Sequence, residues 1–173
     1  MKNRQALFLL TLAAIIVATG CAYPISAKYR DKVRKRVTFT DIREEPEEYK
    51  GETVIWGGVI LETKNTDEGS ELEVLQTPLN FLYEPGQAKK SRGRFIAKTS
   101  KFMDPEVYDK SKVITVAGTV VGKRTRKLDE ANYTYPVVQI EESYLWERTR
   151  DDRYYYYPRM HFGYYYGDPW YYY

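Results

Sequence analysis

Cys21 is the single cysteine of the chain, and it closes a progression from basic to apolar to small residues: Lys2 and Arg4, the run Ala6 to Ala18, then Thr19 and Gly20. That order is the layout of a secretory signal cut before the cysteine, which predicts a signal over residues 1–20 and a mature chain beginning at Cys21. The apolar run is well short of the roughly 20 residues that a membrane-crossing helix needs, so export and cleavage fit it better than a permanent span. A thiol at that junction is placed for covalent modification of the new amino terminus rather than for packing. Other reactive groups are sparse. The one histidine, His161, lies far from the β-rich region, and with Cys21 modified no thiol remains for a nucleophile or a metal. The acidic cluster Glu44, Glu45, Glu47 and Glu48 straddles Pro46 with no histidine nearby, and Glu141 and Glu142, adjacent on a strand, should project to opposite faces. Gly118 to Gly122 leads into a basic run, not a capped helix, so it is no phosphate loop. No catalytic residue, metal or cofactor is expected.

Charge offers a binding surface instead. Arg92, Arg94 and Lys98 form one basic strip, and Lys123, Arg124, Arg126 and Lys127 form another in what reads as the loop after a strand. Together they are candidates for binding an envelope glycan, an anionic lipid or another oligomeric ligand. Nucleic acid is not expected: aromatic residues do not interleave these cations, and removing Lys2 and Arg4 brings the +3 precursor close to neutral. A second basic run, Lys28 to Arg36, follows the cysteine directly; it reads as a solvated linker or as a contact for anionic headgroups.

The elements that must carry these residues are mostly strands. About 150 residues remain after cleavage, enough for one core. Residues 21–50 read as lipidated terminus, basic linker and acidic lead-in, with Pro46 stopping any helix before it. Residues 51–147 read as the folded domain. Its strands are predicted at Val54–Leu61, Glu71–Gln76, Gly93–Lys98, Lys112–Lys123 and Tyr135–Trp146, with a polar hairpin loop over Lys64–Gly69 and a short helix over Asp104–Tyr108. Period-two alternation puts Trp56, Leu72, Val74, Phe95, Val116, Val120, Val138 and Ile140 in the core. Glycines inside β-branched runs, at Gly57-Gly58 and Gly118, predict bends that let a small sheet close. The expected fold is mainly β, a five-stranded OB-like barrel with one short helix.

Residues 148–173 form a tail holding more than half of the chain's 18 tyrosines. Pro158, Gly163, Gly167 and Pro169 break any regular element, yet Tyr154, Tyr155, Tyr156, Tyr157, Tyr164, Tyr165, Tyr166 and Trp170 make it too aromatic for an ordinary solvated tail. It could pack on the barrel, lie at a membrane–water interface or bind another envelope component.

The junction at Cys21 resembles the lipobox of bacterial lipoproteins, with Ala18 where that motif usually has Leu. Downstream, Phe39; Pro46, Tyr49 and Gly51; Gly57-Gly58; Leu72-Glu73-Val74; Pro78-Leu79; Gly93-Arg94-Phe95; Asp104-Pro105; Gly118, Gly122, Tyr135-Pro136 and Trp146 together resemble the Slp family of Gram-negative outer-membrane lipoproteins. The resemblance implies acylation of Cys21 and a lipid-anchored protein at the outer membrane facing the periplasm; Ala22, which is not Asp, agrees with that destination. It implies no catalytic residues. The functional expectation is a non-catalytic structural or interaction module, with an OB-like ligand-binding module as the alternative.

Overall fold

The structure, a computed structural model, describes residues 23–33 and 36–149. Five strands, β1 (Thr53–Thr66), β2 (Gly69–Gln76), β3 (Gly93–Thr99), β4 (Lys112–Leu128) and β5 (Ala131–Thr149), close into a barrel in the order β1-β2-β3-β5-β4. Every neighbouring pair is antiparallel except β3 with β5. This is the connectivity of an OB-like barrel, in which each strand has a neighbour on both sides.

Alternation fills the interior as expected. Trp56, Leu72, Val74, Phe95, Val116, Val120 and Val138 are all buried in one cluster, against which Ile140 packs. Closure needs the backbones to come close at defined places. A β-bulge separates Ala117 from Gly118 in the β4–β5 ladder, and there a Cβ on Gly118 would lie 2.0 Å from the Gln139 carbonyl oxygen. A Cβ on Gly58 would lie 1.9 Å from that of Leu75. Gly118 marks a bulge, as expected, but the reason is close approach and not a left-handed backbone.

Three local differences from the sequence reading have physical causes. The first hairpin is tighter, because β1 continues to Thr66 and the Thr66 hydroxyl accepts from Glu68 N–H and donates to the Gly69 carbonyl. Asp104–Tyr108 makes a single turn in place of a helix: Tyr108 N–H donates to the Asp104 carbonyl, and Asp104 Oδ1 accepts from Glu106 N–H. Lys123–Lys127 belongs to β4 and pairs with Asn132–Pro136 of β5, so the expected basic loop is strand.

Two short helices precede the barrel. Helix α1 (Ala27–Arg30) lies on its outside, and α2 (Phe39–Glu44) plugs one end. Thr38 and Asp41 form a capping box that starts α2: Asp41 Oδ2 accepts from Thr38 N–H at 2.8 Å and Thr38 Oγ1 accepts from Asp41 N–H at 3.3 Å. The N–H and hydroxyl of Thr38 hold the Asp41 carboxyl below its usual range. The plug is aromatic, with Phe39 edge-on to Trp56 at 4.8 Å and Trp56 edge-on to Phe95 at 5.3 Å between centroids.

Candidate membrane-facing site and charged hairpin

The segment after Cys21 is docked. Ile25 is fully buried, and with Tyr29 it packs against Ile55 of β1 and Ala117 of β4 on the outer face of the barrel. Ser26, at the start of α1, donates its N–H to Glu142 Oε1 at 3.0 Å and its hydroxyl to Glu142 Oε2 at 2.7 Å, fixing the segment to β5. Glu141 accepts from the Thr119 hydroxyl at 2.5 Å. The β4–β5 bulge therefore turns both adjacent glutamates outward, where simple alternation puts them on opposite faces; each is engaged by a hydroxyl of the scaffold. Lys28 is held charged above its usual range first by its hydrogen bond to the Tyr29 hydroxyl and further by Glu141 and Glu142. Part of the basic run, read as linker or headgroup contact, is thus structured against the domain. Cys21 itself lies outside the described residues, two positions before Tyr23.

On the same outer face the connection after β2 makes a tight loop. Asn80 N–H donates to the Glu84 carbonyl, Tyr83 N–H donates to the Asn80 carbonyl, and Asn80 Oδ1 accepts from the N–H groups of Leu82 and Glu84 at 2.8 and 3.0 Å. Tyr83 takes a left-handed backbone, φ 62°. Its carbonyl accepts from Thr115 Oγ1 at 2.7 Å, and that oxygen accepts from the Trp146 indole at 3.0 Å. Tyr23 meets Tyr83 edge-on, and Tyr144 meets Trp146 in the same way.

The sequence-derived basic strips come together on a different surface, where glutamates of β2 meet them. Glu71 accepts from Arg124 at 2.6 Å and from Arg126 at 2.8 Å; Glu73 accepts from Arg94 at 2.7 Å and from the Tyr135 hydroxyl at 3.4 Å. Burial opposes ionisation of Glu71, but the two guanidiniums outweigh it and hold the carboxyl below its usual range. Burial, reinforced by the Glu73 carboxylate, raises the Tyr135 hydroxyl. The Tyr133 hydroxyl accepts from Arg94 N–H at 2.8 Å, so the β4–β5 hairpin is latched across β3. Its underside is a third apolar cluster, of Ile96, Tyr135 and Val137. Three of the seven candidate cations, Arg94, Arg124 and Arg126, are therefore latch residues as well, and Lys123 is exposed on β4. Lys98 borders a polar groove of about 210 Å³ with Glu71, Thr99 and Gln139. Arg92 is exposed and its carbonyl accepts from Arg43 at 2.6 Å; Lys127 is exposed near the hairpin tip. The glutamate partners were visible only as the polar side of β2, since the pairing depends on how the hairpin curls. Among the described residues no cluster of three His, Cys, Asp or Glu could hold a metal, and no helix is long and apolar enough to cross a membrane. The tail residues Tyr154–Trp170 and His161 lie outside the described residues.

The fold and its docked amino-terminal segment define the class: a small OB-like barrel with a strap fixed to its outer wall. The chain belongs to the outer membrane lipoprotein Slp family, whose model matches residues 18–173. It is 32% identical over 148 residues to an uncharacterized protein of Haemophilus influenzae, covering 84% of this chain and 78% of that one. It is 23% identical over 146 residues to the outer membrane protein Slp of Escherichia coli, covering 84% and 77%. A third relative, the uncharacterized lipoprotein YeaY of E. coli, is 28% identical over 105 residues, covering 61% and 54%. The protein is an outer membrane lipoprotein, of a family not known for enzymes.

Proposed function

We propose that the protein is a non-catalytic envelope module, held at the outer membrane by acyl chains on Cys21, with its barrel on the periplasmic side offering structural or protein–protein contacts. The observation that supports this best is the docking of Tyr23–Val33 on the barrel: with Ile25 fully buried, almost no slack separates the acylation site from the folded domain. A lipoprotein whose domain worked at a distance from its membrane would need a free tether there. One acyl chain binds a bilayer only marginally, so several are required. Fractionation of a Cys21→Ala variant tests the reading. The variant should leave the membrane fraction while keeping its fold; unchanged membrane association would contradict it.

The OB-like binding alternative has one observation in its favour, the polar groove beside Lys98 on the β2–β3 face, where this architecture takes oligomeric ligands. Binding of envelope glycans to the mature protein, weakened by Lys98→Ala, would support it; no binding by either form would oppose it.

A further inference from the structure

We infer that the loop Asn80–Glu84, together with Tyr23, Tyr144 and Trp146, is a bilayer-contacting face that sets the orientation of the barrel on the phospholipid surface. The inference rests on Cys21 being the acylated residue. Phe81 at the loop tip is 81% exposed and Leu82 39%, an unusual cost for two adjacent large apolar side chains in water. The loop does not expose them through looseness. Its backbone is satisfied by its own hydrogen bonds to Asn80, and Tyr83 is held in a left-handed conformation that a non-glycine residue adopts only when its surroundings enforce it. Phe81 and Leu82 are therefore presented by a rigid platform, so little ordering cost remains when they are buried.

The position of the anchor says what buries them. Tyr23 touches Tyr83, and Cys21 is two residues before Tyr23, a reach of at most roughly 7 Å between the two Cα atoms. Acyl chains on Cys21 must enter the bilayer within that reach, so the loop is brought to the lipid surface with them. Tyr23, Tyr144 and Trp146 have the amphipathic rings that favour the headgroup level, while Lys28, in the same docked strap, brings positive charge to an anionic surface. The polar latch of Glu71, Glu73 and their arginines belongs to β2, β3 and the β4–β5 hairpin, whereas the loop packs on β1, β4 and the end of β5.

The absence of any other thiol in the mature chain makes a direct test available. Phe81→Cys and, as a reference beside the far hairpin, Lys127→Cys are each labelled with a nitroxide in the full-length acylated protein. The labelled proteins are reconstituted into vesicles of phosphatidylethanolamine and phosphatidylglycerol. Intact mass first establishes that acyl groups are present. The accessibility of the label to oxygen relative to an aqueous nickel complex should rise severalfold at position 81 on reconstitution and stay unchanged at 127. Acylated protein with position 81 as aqueous as 127 would overturn the orienting contact while leaving the anchor intact. Spin–spin broadening at 81 that varies with protein density would also overturn it, by showing a second copy in place of lipid. Protein lacking acyl mass would remove the anchor and this inference with it.

Discussion

A Cβ on Gly118 meets backbone, the Gln139 carbonyl, with no flexible side chain that could move aside. Gly118→Val should therefore destabilise the barrel by about 3 kcal/mol or more, read as a fall in the urea midpoint, because the bulge must open to admit the side chain. Glu71 makes a different kind of contribution. Its folded-state carboxyl is held below the usual value of 4.5, so the stability it confers is present above that pH and is lost as pH falls through the folded value. Its arginine partners are about a third exposed, which limits the contribution to about 1 kcal/mol. Glu71→Gln should cost that much near neutral pH, and the gap from the parent should close as both are acidified below pH 4.5; a gap constant with pH would contradict the ion-pair account. Residue identities in the core were legible because alternation decides which side of a strand is apolar. The destinations of Glu71, Arg94 and Arg124 were not, because ion pairs across a curled hairpin depend on three-dimensional approach, and the bulge at Gly118 reverses the alternation rule for Glu141 and Glu142.

At the scale of elements, the five strands were readable and the parts that close the barrel were less so. Helix α2 is short, and its apolar content is only Phe39 and Ile42, too little for a period to register; the Thr38–Asp41 box was the available signal. Yet it plugs the barrel end against Trp56 and Phe95. Phe39→Ala should cost about 3–5 kcal/mol in thermal or urea unfolding, as expected for a buried aromatic ring. Thr38→Ala should cost only about 1 kcal/mol, through the cap alone. Equal costs for the two would mean that the helix, not the ring, is what the barrel needs. The basic run Lys28–Arg36 reads as linker or headgroup contact because its composition is charged, whereas the docking of Tyr23–Val33 depends on Ile25 and Tyr29 finding the apolar outer wall formed by Ile55 and Ala117.

For the whole molecule, family membership, a closed barrel and the docking of Tyr23–Val33 on its outer wall support the proposal of a domain seated close to its membrane. Strand β5 runs to Thr149, past the expected domain boundary at 147, and we propose that the tail beyond it is an interaction element: truncation after Arg150 should leave the thermal midpoint of the barrel nearly unchanged while reducing co-purification of envelope partners. Loss of folding on truncation would instead assign the tail to the core. The central claim is the covalent anchor, and intact-mass spectrometry of protein extracted from outer membranes tests it most directly. The account predicts a chain that begins at Cys21 and exceeds its polypeptide mass by several acyl groups; a chain that keeps residues 1–20, or one that begins at Cys21 with no added mass, would contradict it.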